Sequence, residues 1–115
     1  MKKSEREYSR VEVRWPVTIL KGKQMLVGEI KNISIGGALI LCEELPSPEE
    51  PIEISIELSD LFYVSAIVEN VRFNVDDSHG NSITYELAVR FTDMTWDNRR
   101  ILYNAIEREA RKENN

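Results

Sequence analysis

The sequence predicts an all-β (mainly β) fold: a six-stranded antiparallel β-barrel with a C-terminal α-helix and a flexible N-terminal arm. Three observations carry this expectation. Short runs of strand-forming residues follow one another from residue 15 to residue 92, separated by Gly, Pro, Asn and Asp. Two of those runs alternate apolar and polar residues cleanly, as strands with one buried face do. A single apolar stripe of helical period follows them, after Thr95. With 115 residues, 42% of them apolar and 30% charged, the chain has the size and balance of one folded domain with one core.

Taken in order, residues 1–14 are polar and without period, and read as the flexible arm. Trp15-Pro16 disfavours a helix start, because a residue before proline is pushed toward extended geometry. Val17-Thr18-Ile19-Leu20 is the first strand, Lys21-Gly22-Lys23 a turn, and Gln24 to Lys31 the returning strand. Asn32 to Gly37 is a turn with two glycines, and Ala38 to Cys42 an apolar run of the kind buried on both faces. Pro46, Pro48 and Pro51 fence a loop. Ile52, Ile54, Ile56 and Leu58 alternate with Glu53, Ser55, Glu57 and Ser59. Phe62 to Phe73 is a longer strand with a bulge expected at Glu69-Asn70. Residues 76–81 read as a loop, and Ile83 to Phe91 as the last strand. Six strands in meander order would leave open edges, which closure into a barrel removes. Thr95 caps a helix running to about Lys112, with Asp97 in its first turn and Arg108, Arg111 and Lys112 in its last, as the helix dipole favours. Ile101, Leu102, Ala105 and Ile106 form its apolar stripe, with Trp96 near the start, and this stripe is expected to cover an open end or face of the barrel. The domain thus divides into an arm (1–14), a barrel (15–92) and a helix (95–112).

Composition narrows the function. No apolar run approaches the roughly 20 residues of a membrane span, and the charged start is not followed by the apolar stretch of a signal peptide. A cytoplasmic protein without membrane insertion is expected. The single cysteine, Cys42, suits a reducing compartment. A net charge of −5 argues against binding a nucleic-acid polymer. The charge is uneven, however. Residues 43–60 carry seven acidic residues and no Lys or Arg, whereas residues 1–14 hold Lys2, Lys3, Arg6, Arg10 and Arg14 against three acids. A small anion would therefore be drawn to the N-terminal end.

No catalytic or metal-binding constellation stands out. His79 lies in a polar stretch with Asp76 and Asp77, but no further ligands converge in sequence. Cys42 lies in an apolar strand, where a thiol is inert. Walker and dinucleotide-binding motifs are absent. Two patterns remain. Arg10 and Arg14 stand four apart, and each guanidinium offers a planar fork that matches phosphate oxygens or the O6/N7 edge of guanine. Asn32 and Ser34 stand two apart at a strand end, on the same side if extended, and Gly37 permits a sharp turn or a close backbone approach.

Together these residues resemble the signature of the PilZ domain family: R-x-x-x-R, about twenty residues, then D/N-x-S-x-x-G. Arg10 and Arg14 match the first part, and Asn32, Ser34 and Gly37 the second. The order of strands and final helix is similar along nearly the whole chain, including Leu87-Ala88-Val89-Arg90-Phe91 before the helix. The resemblance implies a bacterial receptor for cyclic di-GMP without enzymatic activity and without a cofactor. It implies that the two arginines grip phosphate and guanine, that Asn32 and Ser34 recognise a guanine, that Gly37 shapes the turn beneath it, and that the arm orders around the ligand. Many members carry a further Arg directly before the first motif Arg, in a neighbourhood that influences whether one ligand or a stacked pair is bound. Here that position is Ser9, and Arg6, Ser9 and Gly36 are additional candidates. With no output domain visible in the sequence, a downstream protein partner is expected, in motility, adhesion or biofilm control. The competing expectations are a protein-interaction adaptor of the same fold that binds no nucleotide, and an enzyme using Asp76, Asp77 and His79.

Overall fold

Period-2 patterning resolves into six strands: β1 (Val11–Lys21), β2 (Gln24–Ile33), β3 (Gly37–Cys42), β4 (Ile52–Ser59), β5 (Phe62–His79) and β6 (Ser82–Asp93). One helix follows, α1 (Trp96–Glu113). The computed structural model describes residues 10–47, 51–59, 62–79 and 82–113. Arg6 and Ser9, and most of the expected arm, lie outside the described residues.

The strands form a closed antiparallel barrel in the order β1-β2-β3-β6-β5-β4. This corrects the expected meander. Two three-stranded meanders are joined edge to edge, β3 to β6 and β1 to β4. The reason lies in residues 43–51. A β3–β4 hairpin would need a tight turn, but this connection carries three prolines, which supply no backbone N–H for pairing. β3 and β4 therefore take other partners on opposite sides of the ring.

Inward residues fill the barrel. Ile19, Ile30, Ile33, Ile40, Ile54, Ile56, Val64 and Leu87 are almost wholly buried. The run Ala38–Cys42 is less symmetric than its composition implies: Ala38, Ile40 and Cys42 point into the core, whereas Leu39 and Leu41 are only half-buried on the outer face. The β1–β2 turn has Gly22 at φ 59° with no positive φ at Lys23, the pattern of a type II′ hairpin.

Two strands run past their expected ends. β1 begins at Val11, because Val11 and Val13 are buried and pair the segment onto β2, so residues 11–14 are strand and not arm. β5 continues to His79, pairing Asp76 with Thr84 and His79 with Ser82, where a loop was expected. The bulge expected at Glu69-Asn70 falls between Asn70 and Arg72.

β1, β3 and β5 run one way and β2, β4 and β6 the other. The start of β1, the end of β2, the start of β3 and the end of β6 therefore share one end of the barrel. α1 leaves β6 there and packs on β5 and β1. Near its start Ser65 N–H donates to Asn98 Oδ1 (3.1 Å), and at its last residue Glu12 N–H donates to Glu113 Oε2 (3.0 Å). Leu102, Ala105 and Ile106 are buried beneath it. Thr95 caps it, its Oγ1 accepting from Asn98 N–H at 3.1 Å. Trp96, expected on the stripe, is 84% exposed. At 100° per residue it stands half a turn round the helix from Ala105, on the face that also exposes Tyr103.

Candidate functional site

The two sequence patterns meet at the helix-bearing end of the barrel. Glu12 of β1 pairs with Asn32 of β2, so their neighbours lie side by side on adjacent strands. Just beyond, β1 and β2 both leave regular register: between Glu12 and Trp15 on one side, and between Ile30 and Asn32 on the other. Bulges open the ladder locally, and here Arg14, Lys31 and Asn32 line one cleft of about 730 Å³ on the outer face. Glu29 and Leu41 line it as well.

Arg10 reaches across to Asn32, its Nη1 donating to Asn32 Oδ1 at 2.8 Å. The first motif is thereby bound directly to the second. Arg14 faces Glu29, Nε to Oε2 at 3.6 Å. Because the Arg14 side chain is 86% exposed, this ion pair is weakly held and open to exchange for a stronger anion. Lys31 meets Glu86 of β6 at 3.3 Å.

Ser34 and Gly37 act differently from Asn32. Ser34 is 2% exposed, and its Oγ accepts from Gly36 N–H at 3.1 Å, while its own N–H donates to Gly37 O at 2.8 Å. Gly36 O in turn accepts from Phe91 N–H at 3.0 Å, tying the turn to β6. Gly37 has no positive φ. Glycine is required there by crowding, since a Cβ would stand 2.3 Å from Val89 O. The close approach is to β6, not to the space a ligand would enter.

Of the residues named from the sequence, Arg10, Arg14, Asn32, Ser34, Gly36 and Gly37 are gathered at this end by the fold, and Arg6 and Ser9 lie outside the described residues. Sequence reasoning missed Glu29, Lys31 and Leu41. The signal was available in part: Glu29 and Lys31 stand two apart on β2, which places them on one outer face if the strand is regular.

The match to known proteins follows this geometry. The family model for the PilZ domain matches residues 4–108. The chain belongs to the PilZ domain family. PilZ domains are ligand-binding receptors. Among solved structures it is similar to the Bacillus subtilis inhibitor of motility MotI/DgrA (TM-score 0.74, 15% identity, covering 92% of this chain and 51% of that one). It is also similar to the PilZ domain of Escherichia coli YcgR with c-di-GMP (TM-score 0.67, 19% identity, 92% and 94% covered). A third likeness is to the Klebsiella pneumoniae MrkH–c-di-GMP complex (TM-score 0.62, 20% identity, 91% and 53% covered). This chain spans about half the length of the MotI/DgrA and MrkH chains. No curated protein matches by sequence. At these identities the likeness is one of fold, so the site rests on the chain's own PilZ residues. Among the described residues no cluster of His, Cys, Asp and Glu is arranged to hold a metal ion. No helix among them is long and apolar enough to cross a membrane.

Proposed function

We propose that this domain is a cyclic di-GMP receptor that carries no catalysis of its own and passes the binding event to a protein partner in the cytoplasm. The observation that carries this reading is the Arg10–Asn32 hydrogen bond of 2.8 Å, which joins the two halves of the motif beside the Arg14 cleft. The family match and the c-di-GMP named for the YcgR and MrkH structures support the ligand class.

In this reading Arg10 and Arg14 turn from Asn32 and Glu29 to phosphate and to the O6/N7 edge of a guanine, exchanging weak surface contacts for charge-assisted forks. Asn32 contributes amide donors and an acceptor to the guanine. Ser34, Gly36 and Gly37 hold the turn at which that guanine rests. Arg6 and Ser9 would meet the ligand from the N-terminal side. On binding, the N-terminal residues would order around the ligand, so the surface at this end changes, and a partner reads that change. The processes proposed are motility, adhesion or biofilm control, the first supported by the likeness to an inhibitor of motility.

Calorimetric titration with cyclic di-GMP tests this. We expect saturable binding, with the stoichiometry read from the same curve. Arg10→Ala or Arg14→Ala should weaken it by about 10- to 100-fold, the loss of one charge-assisted bond pair. No heat, together with no change in Trp15 fluorescence at high ligand concentration, would sink the proposal and favour a nucleotide-independent adaptor.

A further inference from the structure

β5 outruns the strand beside it. β4 pairs with β5 only as far as Ile52↔Val68. From Glu69 onward β5 pairs, among the described residues, with β6 alone. A strand edge of this kind presents backbone N–H and C=O groups to a further strand. Its side chains add to the demand: Val71, Phe73 and Val75 are 58%, 49% and 59% exposed. Phe73 stands opposite Leu87, which is buried in the core, and Val75 stands opposite Tyr85. Both therefore continue the core-facing side of the sheet beyond the point where the barrel covers it. Bulges commonly protect an edge. Here the register shifts fall before Arg72 and after Asp76, leaving Arg72–Asp76 as a regular stretch between them.

The residues of that stretch select their occupant. Two copies pairing antiparallel about a two-fold axis perpendicular to the sheet match residues whose numbers have a constant, even sum, so that each side chain stays on its own face. Centred on Asn74, the pairing sets Arg72 against Asp76 of the second copy and Phe73 against its Val75, each twice. Centred on Phe73, it sets Arg72 against Asn74 and, with the bulge before Arg72 counted, Glu69 against Asp76, two like charges. Centred on Val75, it sets Phe73 against Asp77. Directly opposed unlike charges stabilise a strand pair and like charges oppose it. Only the Asn74 register puts unlike charges together on one face and apolar side chains together on the other.

We propose that the protein forms a two-fold dimer through its β5 edge, with Asn74 on the axis. No residue lining the cleft of β1 and β2 lies on β5, so the strand pairing takes no side chain from the ligand site.

Sedimentation across protein concentration, with site-directed crosslinking of the full chain, tests this. The wild type should self-associate reversibly to a dimer. Arg72→Asp or Asp76→Arg should each raise the dimer dissociation constant at least tenfold, and the double variant R72D/D76R should restore it. Asn74→Cys should form a reducible dimer under mild oxidation, because Cα atoms opposed in a strand pair are about 4.5–5.5 Å apart, within disulfide reach. Arg72→Cys should not, since its own copies would stand roughly 13 Å apart, four residues of strand. The native thiol, Cys42, is buried and does not compete. A wild type that stays monomeric at about 0.5 mM, or an Asn74→Cys chain that stays uncrosslinked while Arg72→Cys crosslinks equally or better, overturns the proposal. Should the charge variants lose their fold by circular dichroism, the cysteine pair decides alone.

Discussion

At the scale of single residues, Arg14 and Glu29 hold the sharpest consequence for the site. Their contact at 3.6 Å is exposed, and such pairs contribute about 0.2–1 kcal/mol. An anionic ligand at Arg14 must break it and also approach the Glu29 carboxylate. Glu29→Gln removes both obstacles and should tighten cyclic di-GMP binding by up to about fivefold. If binding weakens instead, Glu29 positions Arg14 for the ligand and does not compete with it. Gly37 makes the opposite kind of contribution, one of packing. A Cβ there would meet Val89 O at 2.3 Å, and backbone cannot swing aside as a side chain can. Gly37→Ala should cost about 1–3 kcal/mol, seen as a melting point lower by roughly 5–10 °C. An unchanged melting point would show that β3 and β6 can part far enough to admit the methyl group. The hydroxyl of Ser34 belongs to this packing class too, because it is bound to Gly36 N–H inside the turn.

At the scale of elements, the bulges in β1 and β2 explain why a site arises where the sequence shows only two spaced motifs. A regular β1 would send Arg14 and Glu12 to one face and Val13 to the other. β1 keeps that alternation, with Glu12 and Arg14 exposed and Val13 buried, while the register shift between Glu12 and Trp15 opens a gap in the ladder where Arg14 meets the cleft. α1 shows how far one stripe determines position. Leu102 is wholly buried against the barrel end, together with Ile106. Leu102→Ala should cost about 2–5 kcal/mol, measured as a fall in the denaturant midpoint. Because the same helix touches β1 through Glu113 and Glu12 N–H, this variant should also weaken ligand binding. Destabilisation with unchanged affinity would separate the helix from the site. Trp96 was misplaced by composition alone: a large apolar residue near a stripe is not on it unless the helical angle agrees.

At the scale of the whole molecule, barrel closure leaves one interior, and Cys42 reports on it. Burial pushes the Cys42 thiol up, against a smaller lowering by a backbone hydrogen bond at Glu44. Both folded and unfolded chains keep the proton below the ordinary thiol value of about 8.5, so there the group is neutral in its effect. Above it the unfolded chain releases the proton first, binds fewer protons than the folded chain, and gains at its expense. Stability should therefore fall as pH rises from about 8.5, and Cys42→Ala should remove that part of the alkaline loss in thermal melts. Equal alkaline loss in both proteins would rule the thiol out as its source.

The local choices were legible along the chain. Alternation in 52–58 and 83–91 made strands, Thr95 and the dipole-matched charges made a capped helix, and the spacing of Arg10, Arg14, Asn32, Ser34 and Gly37 marked the site. Each is decided by neighbours along the chain, through pleat, helical period or turn chemistry. The remaining features depend on partners far away in sequence. The β3–β6 and β1–β4 pairings, the extension of β5 past β4, the approach of Glu29 and Lys31 to the arginines, and the crowding that requires glycine at 37 all arise when the sheet closes. The PilZ signature was legible because its two halves are short and local. That Arg10 and Asn32 touch was not, because only the β1–β2 register carries one across to the other.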